Sequence, residues 1–345
     1  MNMDINFISE KLNKLLNIPS PTGHTEKAIK FIEEEFKALG LSTKRNNKGA
    51  LIATLEGKNT EKEVTLSSHV DTLGGIVKEI KSNGRVKFSQ LGSYAWNTVE
   101  GEYATIETLD EKKYTGTILT TKASSHVHGS ETENIERNID NLEIRIDEKV
   151  SDHDDVVELG INVGDFVHFD PRTEFTSSGF IKSRHLDDKA CVIALICIAK
   201  HLVENNIKPN YTTNFFISNY EEVGHGASAS IPEKTFEFLA VDMSAPGEGQ
   251  TSDEFSVTIC AKDSSGPYDY ELRKKLINIA KEKDLDYKID IYPYYMSDGS
   301  AAVRAGHDIN VGLIGPGVDA SHSFERTHME AIENTIKLGF YYLTK

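Results

Sequence analysis

Between about Thr72 and Arg184 the chain loses every long helical pattern, and this interruption constrains the fold more than any other feature. Before it, Ile5, Ile8, Leu12, Leu15 and Leu16 recur at helical spacing. Ser20-Pro21-Thr22-Gly23 ends that helix, and a second runs through Ala28, Phe31, Ile32 and Phe36 to a stop at Gly40. Leu51–Leu55 and Val64–Leu66 read as strands, the second ending at His69-Val70-Asp71. Inside the interruption, short β runs alternate with turns at Tyr103–Thr108, Thr115–Thr121, Leu142–Ile146 and Phe166–Phe169. Beyond it the α/β rhythm returns. Leu186–Leu202, Tyr270–Lys283 and Ile332–Leu343 read as helices, and Thr213–Ser218, Phe238–Val241 and Ile309–Ile314 as strands. The pattern predicts an α/β domain, residues 1–71 plus 173–345, interrupted by a small all-β unit over 72–172.

A chain of 345 residues is too long for one small core, which agrees with this division. Its 38% hydrophobic content supports a packed interior rather than disorder. The net charge of −16 repels phosphate backbones, so nucleic acid is excluded as a partner. Cys191, Cys197 and Cys260 form no CxxC pair and sit among apolar neighbours, as buried thiols in a reducing compartment do. The first seven residues lack a basic flank and an apolar core, so no signal peptide is expected. The longest apolar run, Cys191–Ala199, falls far short of the ~20 residues of a membrane helix. The expected location is the cytoplasm.

Residues able to hold a metal collect just past the predicted strands. His69 and Asp71 follow one, Glu221 and Glu222 another, Asp242 a third, and His322 lies in the loop after a fourth. Asp187 and Asp188 open a helix. In open α/β sheets, ligands bind beyond the carboxyl ends of the strands, so these positions converge on one edge. Carboxylates and imidazoles without thiolates suit borderline divalent cations such as zinc, cobalt or manganese. A carboxylate has two oxygens and can bridge two such ions, which share and activate a water. Singly, each motif has a plain structural explanation: Asp-Asp as a helix cap, Glu-Glu as a solvated surface. Their joint placement at strand ends does not. His126 and His128 flank Val127 and are read as two residues of one strand face in the β insert. Tyr94 and Trp96 are read as packing within it. His185 is a candidate for supporting a ligand from behind, and His328 competes with His322 for the last ligand position.

In order along the chain, His69-Val70-Asp71, Leu186-Asp187-Asp188-Lys189, Glu221-Glu222-Val223-Gly224, Val241-Asp242 and Ser321-His322-Ser323-Phe324-Glu325-Arg326-Thr327-His328 resemble the tetrahedral aminopeptidases. These are the glutamyl and deblocking aminopeptidases, family forty-two of the metallopeptidases. The resemblance spans nearly the whole chain. It implies a zinc-exopeptidase-like fold, a central mixed sheet with flanking helices, with a β-barrel-like dimerisation insert. It implies two divalent cations per subunit, zinc or cobalt, with His69 and Asp242 on one, Glu222 and His322 on the other, and Asp187 bridging. Glu221 becomes the general base and Asp71 orients the His69 ring. Peptides become the substrates, and a dodecamer built from dimers the assembly. The loop Val223–Ala227 is shorter than is common in the family and lacks an Arg often found there, close to the substrate.

Related co-catalytic metallohydrolases of the deacetylase and dipeptidase type share much of this set. They place a short gap between the first two ligands, whereas here 187 − 69 = 118 residues separate them, room enough for the insert. A vestigial scaffold would lack a ligand or Glu221, and none is missing. A retaining glycosidase needs two opposed carboxyls ~5–5.5 Å apart, which adjacent residues leaving a strand do not supply.

Overall fold

The computed structural model describes residues 3–345, which form two compact units, one running to Asp71 and resuming over Arg172–Lys345, the other Thr72–Pro171. The first unit is built on a nine-stranded mixed sheet. Its order is Ser42–Arg45, Leu51–Leu55, Tyr211–Ser218, Asn59–His69, Thr235–Val241, Asn310–Pro316, Val257–Asp263, Gly266–Pro267, with Tyr287–Ile291 also paired to Val257–Asp263. The four middle strands, Tyr211–Ser218 through Asn310–Pro316, run parallel. Their carboxyl ends, Ser218, His69, Val241 and Pro316, therefore lie along one edge.

The middle strands are buried on both faces, and successive residues feed different cores. Phe215, Ile217, Leu239 and Val241 enter one cluster with the helices. Phe216, Phe238 and Ala240 enter the other with Tyr268, Tyr292 and Leu313. The helix Leu186–Glu204 is apolar all round, and every residue from Leu186 to Ala199 is buried. It packs among Ile5–Leu16, Glu26–Ala38 and Met329–Thr344, so its first residues, Asp187 and Asp188, arrive at the sheet edge from the interior.

The second unit is a closed antiparallel barrel of Gly74–Ile80, Val86–Leu91, Leu142–Ile146, Lys113–Thr120, Tyr103–Glu107 and Phe166–Phe169. Val77, Val86, Phe88, Ile106, Ile118, Ile144 and Val167 fill it. Tyr94 and Trp96 pack on this core, with ring centroids 5.6 Å from Phe169 and 5.4 Å from Phe88 respectively. His126 and His128 are not on a strand face. Thr120 pairs with Leu142, so the intervening residues loop out, and Ser125–His128 forms an exposed helical turn. Two residues apart on a helix, the imidazoles do not face each other.

Candidate metal centre

His69 ends its strand fully buried, with its ring facing Asp187 across the sheet edge: Nε2 lies 3.0 Å from Asp187 Oδ1. The other ring nitrogen, Nδ1, is 2.8 Å from the Asp71 main-chain oxygen. A carbonyl only accepts, so Nδ1 carries the proton and Nε2 keeps its lone pair for a ligand. The second oxygen of Asp187 is 3.5 Å from His322 Nε2, which is in turn 3.3 Å from Glu222 Oε2. Two groups follow, His69–Asp187–Asp242 and Asp187–Glu222–His322, each with its candidate ligand atoms within 4.8 Å of one another. Asp187 belongs to both. This donor set, three carboxylates and two imidazoles with one carboxylate shared, fits two divalent cations. Glu221 Oε2 reaches to 3.8 Å from His69 Nε2, beside both groups.

The Asp71 carboxylate does something other than orient the imidazole. Its nearer oxygen is 3.8 Å from His69 Nδ1, and the ring is held by the Asp71 main chain instead. The carboxylate accepts from Glu221 N–H at 3.1 Å, Glu222 N–H at 3.3 Å and Thr22 Oγ1 at 2.8 Å. It pins the backbone of both glutamates.

Three further buried acids shape the edge. Glu325 accepts from the Asp187 N–H through one oxygen and from the His322 N–H through the other, both at 3.1 Å. It thus ties the shared aspartate to the far imidazole. Asp188 accepts from Ser68 Oγ at 2.5 Å and from the His69 N–H at 3.3 Å. Asp298 accepts from Ser218 Oγ at 2.5 Å and Ala227 N–H at 2.8 Å, closing the loop that carries the glutamates. Gly226 is required there, because a Cβ would come within 2.1 Å of Asp298 Oδ1. Lys48 braces the same loop through the carbonyls of His225 and Gly226 and the hydroxyl of Ser228. Tyr220 and His322 take left-handed backbone, φ 73° and 62°, a strain of about 1–3 kcal/mol each of the kind that gathers at working sites.

His328 lies elsewhere. Its Nε2 is 2.9 Å from the Ser178 carbonyl and its ring packs on Phe180 and Phe255, so it does not compete with His322.

So many acids in one buried place repel one another. Burial, and after it the neighbouring Asp187 charge, outweigh the opposing His69 and leave the Asp242 carboxyl pushed up to about 8. Burial likewise raises Glu221 well above the usual carboxylate range. Asp187 is the exception. Burial opposes its charge, but the His322 and His69 rings beside it hold its carboxyl below the usual range. Burial pushes His322 down, yet Glu222 and Asp187 outweigh it and lift the imidazole to about 12. The cluster calls for positive charge.

The M42 glutamyl aminopeptidase family model matches residues 49–338. YhfE of Bacillus subtilis (strain 168), which carries an aminopeptidase name, is 54% identical over 334 residues, covering 97% of this chain and 96% of that one. Among solved structures, the TET aminopeptidase of Thaumarchaeota archaeon SCGC AB-539-E09 superposes with a TM-score of 0.88 at 17% identity, covering 98% and 97% of the two chains. The Pyrococcus horikoshii TET1 peptidase does so at 0.84 and 22%, covering 98% and 99%. The structural likenesses establish the fold, the mixed sheet with its inserted barrel. The sequence matches go further: the chain belongs to the M42 glutamyl aminopeptidase family, a family of metallopeptidases, and is an aminopeptidase hydrolysing residues from peptide N-termini.

Proposed function

We propose that this aminopeptidase works with two divalent cations per chain, one held by His69 and Asp242, one by Glu222 and His322, with Asp187 between them. The observation that carries the reading is the pair of ligand groups sharing Asp187. Zinc or cobalt suits the donors best, and manganese is accommodated. Bound there, the cations supply Lewis acidity and a water of lowered pKa. The chain's own residues do the rest. Glu221 takes the water's proton on its carboxylate and passes it to the nitrogen of the departing peptide. Asp71 keeps Glu221 aimed through its backbone. The anionic edge draws the cationic α-amine of an unblocked peptide, which sets the first peptide bond against the nucleophile. Metal analysis of wild type and Asp187→Asn tests the assignment: two ions per chain are expected in the first and at most one in the second. Full occupancy in the variant would remove Asp187 from its bridging place.

The domain boundaries near 71 and 172 give the barrel unit a separate role, and pairing of subunits through it is the proposal. The relative from Pyrococcus horikoshii can assemble into a tetrahedron or a large octahedral shell, which supports a homo-oligomer here, with a dodecamer built from dimers as the proposed form. Light scattering at micromolar concentration checks it, and a monomer mass would refute it. The proposed location is the cytoplasm. Its supports are the buried free thiols Cys191, Cys197 and Cys260 and, among the described residues, the lack of any helix long and apolar enough to cross a membrane.

A further inference from the structure

A second concave site lies apart from the metal centre. It is a cavity of about 230 Å³ between the turn at 265–269, the helix Asp298–Arg304 and the amino end of the strand Asn310–Pro316. None of its lining residues belongs to either ligand group. The Asp242 N–H meets the same strand further along, at Ile314, toward the carboxyl end. The cavity floor is fixed by Asp263, which is fully buried and accepts from Ser300 Oγ at 2.5 Å and Ser265 Oγ at 2.6 Å. Both serines line the cavity. Each hydroxyl gives its proton to Asp263 and so has acceptor lone pairs to offer.

The walls carry one charge of each sign. Arg304, in the last turn of its helix, is exposed and lines the cavity. Its guanidinium reaches the Met296 sulfur at 2.9 Å, a weak acceptor, and among the described residues no carboxylate pairs with it. Acids outnumber bases 54 to 38 in this chain, so the guanidinium does not lack acids to choose from. Asp269 lines the cavity as well. Its Oδ1 caps the helix Tyr270–Glu282 by accepting from the Leu272 N–H at 2.7 Å, which fixes the carboxylate and leaves Oδ2 to accept. Val303, Ile309 and Val311 supply apolar wall.

A simple anion here would satisfy Arg304 and oppose Asp269, and a simple cation would do the reverse. An occupant that carries both charges satisfies both. The cavity is smaller than the ~300–1,000 Å³ of drug-sized sites, so the occupant is small. We propose that the cavity binds a free α-amino acid in its zwitterionic form. The carboxylate pairs with Arg304, the ammonium meets Asp269 and the two serine hydroxyls, and an aliphatic side chain lies against Val303, Ile309 and Val311. Free amino acids are what an aminopeptidase releases, so the cavity takes the reaction's product away from the metal edge. Nothing in this assignment depends on which residues hold the cations.

Equilibrium dialysis of the metal-loaded protein against millimolar radiolabelled L-leucine tests the proposal. Leucine also fits the metal edge as a product, so the readout is a difference. Arg304→Gln and Asp269→Asn are each expected to bind one leucine fewer per chain than the wild type. Arg304 is exposed and asparagine keeps the helix cap, so Tm should hold and kcat on an aminoacyl nitroanilide should change less than about twofold. For the leucine that Arg304→Gln loses, 4-methylpentanoate lacks the amine and 3-methylbutylamine lacks the carboxylate. Each should compete at least about tenfold more weakly than leucine, having given up one charge-assisted contact. Equal leucine binding by wild type and Arg304→Gln overturns the proposal. So does 4-methylpentanoate competing as well as leucine, which marks a simple anion site. A variant that loses binding together with Tm or kcat marks its residue as structural and overturns it too. Cleavage of the nitroanilide by the wild type reads the aminopeptidase activity separately.

Discussion

Replacing Asp71 by Asn tests whether its carboxylate governs the catalytic loop rather than the His69 ring. Asp71 is fully buried and accepts three hydrogen bonds, from Thr22 Oγ1 and from the N–H groups of Glu221 and Glu222. Asparagine keeps one acceptor oxygen and puts an NH2 group in place of the other. A hydroxyl can turn to accept from that NH2, but a backbone N–H cannot. At least one amide of the glutamate loop then loses its partner, whichever way the asparagine faces. Hydrogen bonds to a charged group contribute about 1.5–3 kcal/mol each, so that is the scale of the loss. Felt wholly in the transition state, it corresponds to about 10–150-fold in rate. The His69 ring should be untouched, since it is held by the Asp71 main-chain oxygen at 2.8 Å, which the substitution preserves. The assay is steady-state hydrolysis of an aminoacyl nitroanilide together with metal analysis. The expected result is a kcat at least tenfold lower at full metal content. A kcat within threefold of wild type would refute the reasoning. Loss of the His69 cation with the glutamates still in place would return the carboxylate to the imidazole.

Glu221→Gln should retain both cations and lose about 10² or more in kcat, because the proton acceptor is gone while the ligand set is intact; rates within a few-fold of wild type would remove Glu221 from the role of base. Stability at low pH should depend on Glu33, whose carboxyl is lowered to about 2 by hydrogen bonds from Lys37 first and then from Arg45 and Thr43. A depressed carboxyl stabilises above its unfolded pKa and loses that contribution as pH falls through the folded one. Glu33→Gln is therefore expected to lower stability at pH 7 by about 1 kcal/mol, reduced by solvent screening at the helix surface. The Tm gap to wild type should close as pH falls from about 4.5 toward 2; a gap that persists at the acid end would show that the ion pairs are not its source.

The α/β frame and its β insert were legible because strands buried on both faces and a helix apolar all round leave long, unambiguous runs, as in Phe215–Ile217 and Cys191–Ala199. Strand ends located His69, Glu222, Asp242 and His322, a helix start located Asp187, and the structure brings the five together. What escaped notice has physical causes. The strand Tyr287–Ile291 lies at an edge and mixes Lys288 with Ile289, and the short helix Asp298–Arg304 carries a glycine and no apolar period. Glu325 works through backbone N–H groups of residues as far as 138 positions away, and no local pattern announces such a contact. The resemblance assigned the Asp71 carboxylate to the His69 ring, whereas it meets the N–H groups of Glu221 and Glu222, 150 and 151 positions away in the chain, a contact that no local pattern announces. The reading of His126 and His128 as strand residues failed because the pairing of Thr120 with Leu142 expels the segment between them.

The central claim is hydrolysis from a free N-terminus at an anionic edge that carries two cations. Timed digestion of one short peptide, with its N-terminus free or acetylated, followed by mass spectrometry, tests it most directly. The account predicts a ladder that loses single residues from the free N-terminus and leaves the acetylated peptide intact. Equal cleavage of both forms, or first cuts in the interior, would contradict it.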